Sequence, residues 1–403
     1  MSDAIIIVGA GECGTRAAFA LREEGWDGRI VLVGAEPPYE RPPLSKTGEY
    51  KLICGGAALG EAGITFLAGA EAVALDTAGH VLELADGRRL PYRSLLLATG
   101  ARARRLPFGG APVHVLRSHA DSVALRARLA PGRRIAVIGG GFIGLELAAS
   151  AASLGGRVTV VELGPRLMGR AVPARVAAVM AGRHVKAGVD LRCGTGVTGL
   201  APTAAGITIT LAEGTAIEAD VVVAGVGSVP ETSLAAAAGI ETDDGVVTDA
   251  RFATSAPDVF AAGDCCRYPH PLYDGRPLRL ESWRAAQEHG TAAARAMLGG
   301  QAPFDGVPWF WSDQYDYTLQ VAGLADEAAR EVVRVRPDDT EIWFGLAAGG
   351  RLVAAAAAGP GNSVARDIKL AEMLIARRAV PDPAVLADPG VALKSVLRSP
   401  VAG

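Results

Sequence analysis

The chain of 403 residues has only five cysteines, Cys13, Cys54, Cys193, Cys265 and Cys266, and none of them forms a Cys-x-x-Cys pair or a zinc-type spacing. No dithiol or zinc centre of those kinds can be read. Cys265 and Cys266 are neighbours whose Cα atoms, about 3.8 Å apart across a trans peptide, sit closer than the usual disulfide range. Both are expected as small buried thiols. The six histidines are scattered without helical ligand spacing, so no metal site is expected. No apolar run approaches the roughly 18 residues of a membrane span. The net charge of −3 lacks the basic excess of a general nucleic-acid binder. The first apolar strand begins at Ala4 with no basic leader before it, so the chain is expected to be cytoplasmic, with neither membrane nor nucleic acid as a partner.

Half of the residues are apolar and 51 are glycine, which suits a loop-rich α/β enzyme. The length favours two or three domains, each with its own core. Two glycine turns of one form stand out, Gly9-Ala10-Gly11-Glu12-Cys13-Gly14 and Gly139-Gly140-Gly141-Phe142-Ile143-Gly144. Each follows a short apolar strand, Ala4 to Val8 or Ile135 to Ile138, and precedes helix formers, Arg16 to Leu21 or Leu145 to Leu154. That is the context in which the motif binds a dinucleotide. Its first glycine permits the tight turn, its second lets backbone reach a pyrophosphate, and its third lets helix pack on strand. An acid follows each turn, Glu36 beyond Ile30 to Val33 and Glu162 at the end of Val158 to Val161. A carboxylate there accepts ribose hydroxyls and repels a 2′-phosphate, so NADH is expected over NADPH. Arg166 and Arg170 lie near enough to soften that preference.

Between the motifs, the prolines of Pro37 to Lys46 are expected to forbid a helix and hold an extended loop. Strands are expected at Val81 to Leu84 and at Leu95 to Ala98, the latter entering Thr99-Gly100 where backbone can approach a cofactor. A linker over 111–131 carries one helix, Asp121 to Leu129. A helix from Pro173 to Lys186 precedes alternating segments at Ile207 to Leu211 and Ile217 to Val223, read as a small β layer. Val221 to Gly225 also echoes Leu95 to Gly100 as an apolar strand ending in glycine. A buried strand from Val259 ends in Gly263-Asp264, and the helix Arg284 to Leu298 follows. Strands near Thr318 to Val321, Glu331 to Val335, Glu341 to Leu346 and Leu352 to Ala357, with a helix at Ser363 to Arg377, make a third, strand-rich region. An irregular tail with one short helix ends the chain.

These residues, together with Arg41-Pro42-Pro43-Leu44-Ser45-Lys46, Ala98-Thr99-Gly100, Val161 to Met168, Ala262-Gly263-Asp264, Glu281-Ser282-Trp283 and Trp309 to Gln314, resemble the FAD-dependent NADH:ferredoxin reductases of bacterial Rieske dioxygenase and cytochrome P450 systems. The likeness covers nearly the whole length. It implies a glutathione-reductase-like α/β fold with two Rossmann-type dinucleotide-binding domains and an α+β C-terminal domain. The boundaries are expected at 1–110 with 232–304 for FAD, 111–231 for NAD, and 305–403 for the last domain.

The resemblance also assigns roles. Asp264, at a strand end and before a helix N-terminus, matches the FAD aspartate that accepts a ribityl hydroxyl. Lys46 matches the lysine beside flavin N5, and its partner falls on Glu146; these two are the expected catalytic pair. A buried lysine without a partner would lose its charge, so an ion pair is expected. Trp311 matches the tryptophan at the flavin edge, Pro42 or Pro43 faces the ring, and Glu281 lies near the nicotinamide carboxamide. Further cofactor contacts are expected from Arg41, Thr99, Gly100, Ile143, Arg170, Gly227, Gly263, Ser282 and Trp283. Glu12 and Cys13 depart from the family pattern, and Glu12 must turn to solvent or meet an arginine such as Arg41.

The implied reaction takes a hydride from NADH onto FAD and releases single electrons to a small [2Fe–2S] ferredoxin, which feeds an oxygenase. Arg102, Arg104 and Arg105 are candidates for steering so acidic a partner. Two other readings stand on the same residues. One is a reductase of rubredoxin, a quinone or another small acceptor. The other is an NADH-responsive redox scaffold of the apoptosis-inducing-factor sort.

Overall fold

The computed structural model describes residues 3–204 and 206–397. They divide into two compact units. One takes the chain up to Arg41, Tyr50–Arg102 and Ser228–Gly306; the other takes Pro42–Glu49, Ala103–Gly227 and the chain from Val307. The last region belongs to the same unit as the middle one. Pro42–Glu49 joins them because its backbone is held there. Ser122 Oγ donates to the Leu44 carbonyl at 3.1 Å and Ser150 Oγ to the Lys46 carbonyl at 3.3 Å.

The first unit is built on a parallel sheet in the order Val259–Ala261, Ser94–Leu97, Ile5–Val8, Ile30–Gly34, Ile64–Ala68. Ile5–Val8 is central and buried throughout, which is why it reads as an unbroken apolar run instead of alternating. Burying each such side chain contributes roughly 1.5–3 kcal/mol. The helices Glu12–Glu23 and Trp283–Met297 pack so closely that a Cβ on Gly290 would overlap the Cys13 carbonyl oxygen. Phe252, Tyr268, His289 and Phe304 form an aromatic cluster in this unit.

The second unit holds a parallel sheet in the order Asp190–Cys193, Arg157–Glu162, Arg134–Ile138, Val221–Ala224. It also contains an antiparallel layer of Val197–Thr203, Gly206–Leu211 and Ala216–Ala219. A five-stranded antiparallel sheet follows, ordered Trp309–Gln314, Tyr317–Gly323, Leu352–Pro360, Glu341–Leu346, Arg330–Val335. The alanines of Leu352–Pro360 are buried on both faces, with the helix Ala365–Ala376 packed on that strand.

Several expectations need correction. The segment Ile217 to Val223 is two strands in two sheets, Ala216–Ala219 and Val221–Ala224, because Asp220 turns the chain. Its carboxylate accepts from the Arg134 backbone at 2.9 Å and pairs with the Arg134 guanidinium at 2.7 Å. Pro42–Ser45 is a 3₁₀ turn and not extended chain; proline suits a first helical turn, where φ is preset and no N–H is needed. The linker helix runs His119–Arg126, earlier than read, because Ser118 and Asp121 form a capping box. Asp264 does not precede a helix but lies inside the 3₁₀ turn Gly263–Cys265, followed by the strand Cys266–His270. Trp309–Gln314 is a further strand, and the tail holds two short helices, Pro383–Ala387 and Leu393–Val396, in place of the one expected.

Candidate cofactor sites

In the first unit the strands deliver three loops to one edge of the sheet. Gly9 follows Ile5–Val8 and donates to the Val33 carbonyl at 2.8 Å, Ala98 follows Ser94–Leu97 and donates to Val8 at 2.8 Å, and Ala262 follows Val259–Ala261 and donates to Leu97 at 3.0 Å. That is the carboxyl edge, where open parallel sheets bind ligands. Gly9 has φ +111°, and a Cβ there would overlap the Ala98 carbonyl oxygen, so only glycine fits. A Cβ on Gly14 would overlap the Gly9 carbonyl. At Gly11, by contrast, a Cβ would meet nothing within 4 Å. Gly11 caps the helix Glu12–Glu23 without a side-chain bond. The turn fits a pyrophosphate: orphan donors, a positive helix end and room for approach.

The expected residues around this turn find partners within their own unit. Glu36 accepts from the Tyr39 hydroxyl at 3.0 Å and lies 3.7 Å from the Arg41 guanidinium. Thr99 Oγ1 donates to the Glu231 carbonyl at 2.6 Å, and the Glu231 N–H donates to Gly100 O at 2.9 Å. Ser282 caps the helix Trp283–Met297 by accepting from the Ala285 N–H at 3.2 Å. Glu281 is engaged by Ser228 and Arg279. Glu12 turns neither to solvent nor to Arg41. It accepts from Trp283 Nε1 at 3.0 Å and from Gln287 Nε2 at 2.7 Å. Burial pushes its carboxyl above the usual value, and these two bonds pull it back.

One residue of this site carries no sequence signal. His289 is fully buried, and its Nδ1 accepts from the Gly263 N–H at 3.3 Å, at the base of the Gly263-Asp264 turn. Burial drives its pKa down to about 3, so the ring is neutral. With Nδ1 accepting, the proton sits on Nε2, which has no partner among the described residues. The histidine fixes the turn that carries Asp264.

The second unit repeats the geometry. Gly139, at φ +105°, donates to the Val161 carbonyl at 2.7 Å, and a Cβ on it would overlap Gly225 O. Gly141 again leaves open space, and the helix Phe142–Ser153 again lacks a side-chain cap. Glu162 accepts from the Gly140 N–H at 2.6 Å with one oxygen and from the Gly164 N–H at 2.7 Å with the other, which aims it at this turn. This turn too fits a dinucleotide. Ile143 is half exposed on the first helical turn, and Arg170 is exposed, with Nη2 3.8 Å from where a Gly227 Cβ would stand.

Pro43, Lys46, Glu146 and Trp311 all belong to this second unit. Lys46 Nζ lies 3.1 Å from Glu146 Oε1, with the Glu146 side chain 6% exposed. The 3₁₀ turn sets up the lysine: the Pro43 carbonyl accepts the N–H of Lys46 at 3.1 Å and of Gly48 at 2.7 Å. Ser45 Oγ donates to the second oxygen of Glu146, and Ser312 Oγ to Oε1 at 2.7 Å. Both serines lie in the segments Arg41 to Lys46 and Trp309 to Gln314 that carry the family resemblance, but nothing in the sequence pairs them with Glu146. Lys46 Nζ also stands 5.5 Å from the centroid of the Trp311 ring, which stacks on Trp309 at 5.4 Å and donates Nε1–H to Asp313 at 2.9 Å. Of the expected steering arginines, Arg102 lies 3.7 Å from Glu231. All five cysteines are free, with Cys13, Cys265 and Cys266 buried.

Residues 3–290 match the family model described as pyridine nucleotide-disulphide oxidoreductase, and residues 309–397 match a model described as reductase C-terminal. The chain is 42% identical to the ferredoxin–NAD(+) reductase component of the anthranilate 1,2-dioxygenase system of Burkholderia cepacia, over 98% of this chain and 100% of that one. It is 36% identical to putidaredoxin reductase of Pseudomonas putida, over 98% and 97% of the two chains. Among solved structures it is similar to the reductase of the covalent putidaredoxin reductase–putidaredoxin complex, with TM-score 0.92, 34% identity and 98% of each chain covered. The ferredoxin reductase for the CYP199A2 system from Rhodopseudomonas palustris matches with TM-score 0.93 and 33% identity, over 98% of this chain and 100% of that one.

Proposed function

The chain belongs to the pyridine nucleotide-disulphide oxidoreductase family, and from that premise we propose that it oxidises NADH through bound FAD and delivers single electrons to a small [2Fe–2S] ferredoxin serving an oxygenase. Its fold is the glutathione-reductase-like α/β fold of its structural relatives. The observation that carries the reading is the pair of glycine turns, each on its own parallel sheet and each with open space at its second glycine. FAD, when bound, supplies the change from two-electron to one-electron chemistry.

The chain's own residues do the rest. Gly9, Gly11 and Gly14 with Glu36, Thr99, Gly100 and Asp264 hold FAD in the proposed domain 1–110 and 232–304. Gly139, Gly141 and Gly144 with Glu162 hold NADH in the proposed domain 111–231. Lys46 is read as the family's flavin lysine, ion-paired with Glu146 at 3.1 Å, and a cation in that role favours negative charge on a reduced flavin. Trp311, from the proposed C-terminal domain 305–403, shields that place from water. The five free cysteines supply no dithiol relay of the Cys-x-x-Cys kind, so electrons leave to an external carrier. Among the described residues no helix is long and apolar enough to cross a membrane. Free thiols suit a reducing compartment, and we place the protein in the cytoplasm.

The test is direct. The protein purified with FAD should be yellow, bleach on NADH, and reduce cytochrome c only when a [2Fe–2S] ferredoxin is added. A colourless protein, or a colour that NADH leaves unchanged, would defeat the proposal. Equal turnover with quinone alone would replace the ferredoxin with a small acceptor.

A further inference from the structure

Ser312 and Gln314 lie on the same face of the strand Trp309–Gln314, since successive strand side chains alternate. Both are buried, and so is His184 on the helix Ala174–Lys186. Their polar atoms continue from Glu146 in an unbroken series. Ser312 Oγ is 2.7 Å from Glu146 Oε1, Gln314 Nε2 is 2.9 Å from Ser312 Oγ, His184 Nε2 is 2.8 Å from Gln314 Oε1, and the Tyr315 hydroxyl is 3.0 Å from His184 Nδ1.

Chemistry dictates the direction of every bond. An ionised carboxylate only accepts, so Ser312 spends its one proton on Glu146. Its lone pair then takes the amide N–H of Gln314, which leaves the Gln314 oxygen to accept from His184. The imidazole must therefore carry its proton on Nε2 and accept at Nδ1 from the Tyr315 hydroxyl. Burial lowers the His184 pKa, in keeping with a neutral ring. Every donor in the series thus points toward Glu146, and bonds aligned in this way polarise one another.

We infer that Ser312, Gln314, His184 and Tyr315 form a one-way hydrogen-bond chain that holds Glu146 as a carboxylate and, through it, Lys46 as a cation. The inference rests on the reading of that ion pair as the one beside FAD, and it makes Gln314 and His184 positioning residues. Other charges are committed elsewhere. Around the helix Phe142–Ser153, Asp313 accepts from Trp311 and Thr318, Glu162 from Gly140 and Gly164, and Arg134 pairs with Asp220; Arg157 stands exposed at the start of its strand. Lys46 is the ionic partner of Glu146 among the described residues. Around the His184 helix, Asp190 pairs with Arg192, Glu341 with Arg175 and Asp316 with Arg183, while Lys186 lies exposed in the last turn.

The experiment uses the full chain as purified. Nitrogen-15 spectra, assigned with His184→Gln, should show the neutral Nε2–H tautomer at neutral pH. A carbon-13 titration of the Glu146 carboxyl, assigned with Glu146→Gln, should show proton affinity rising about tenfold in Gln314→Leu, and by less in Tyr315→Phe. The acid limb of NADH-driven flavin bleaching should move to higher pH with it. An Nδ1–H tautomer, an imidazolium, or an unmoved Glu146 midpoint would overturn the inference. Should Gln314→Leu not fold, the wild-type tautomer and Tyr315→Phe, which removes one half-buried hydroxyl, decide alone. A wild type that NADH never bleaches sinks the redox reading and leaves the carboxyl titration standing; bleaching with an unmoved Glu146 midpoint does the reverse.

Discussion

Lys46 and Glu146 sit 3.1 Å apart, and the carboxylate takes further bonds from Ser45 and Ser312. Three polar partners around one buried carboxylate make this a committed ion pair. Removing one partner of such a pair leaves the other charge uncompensated. Lys46→Met should cost about 3 kcal/mol of stability, less than a fully buried pair because the lysine keeps some solvent contact. It should slow NADH-driven flavin bleaching on the order of 10²-fold, the usual size of a lost preorganised charge, and shift the flavin potential. Stopped-flow reduction and a potential both equal to wild type would strip Lys46 of this role.

The glycines of one turn should behave differently from each other. Gly141→Ala places a methyl where nothing lies within 4 Å, so the fold should lose about 1 kcal/mol or less. The same methyl stands in the path of a pyrophosphate, so kcat/KM for NADH should fall on the order of 10²-fold while the yellow colour remains. Gly11→Ala should give the complement, a folded protein that purifies colourless. Gly139→Ala should not fold well at all, because its Cβ overlaps the Gly225 carbonyl and its φ of +105° excludes alanine. Thermal melts and flavin absorbance separate the three. A Gly141→Ala enzyme with wild-type kinetics would move the phosphates elsewhere.

Those turns were legible because their constraint is local: a positive φ and a neighbouring carbonyl leave one residue type at Gly9 and Gly139. The apolar strands Val81–Leu84 and Glu341–Leu346 were legible for a similar reason, since pattern and flanking turns bound them. What escaped depends on distant chain. Asp220 splits one apparent strand because Arg134, far earlier, captures its carboxylate. Ser312 and Ser45 reach Glu146 across 166 and 101 residues, and no local rule singles out those serines. Glu12 looked misplaced beside a phosphate site until Trp283 and Gln287, one helix away, supplied its donors.

Glu162 should decide between the two nicotinamide cofactors. Both of its oxygens accept backbone N–H bonds, so the carboxylate cannot readily swing away from an incoming 2′-phosphate. Like charges held close repel, and a preference for NADH of ~10²-fold or more in kcat/KM is expected. Glu162→Ser should narrow that ratio chiefly by improving NADPH. If the ratio stays the same, discrimination resides in other residues.

His289 should make stability depend on acid. In the folded chain burial holds its pKa down to about 3, with His270 adding a smaller push in the same direction. The unfolded chain binds that proton near pH 6.5. Above that pH neither state is protonated and the contribution is whole. Below it the unfolded state gains the proton first, so stability falls as pH drops from 6.5 toward 3, by on the order of 5 kcal/mol in all. The native proton, when it arrives, must also displace the Gly263 N–H from Nδ1, which loosens the turn bearing Asp264. Urea melts at successive pH values should therefore show a steep acid limb in the wild type. His289→Gln keeps an acceptor for Gly263 and cannot titrate, so its limb should flatten; matching slopes in the two proteins would assign the acid sensitivity to other groups.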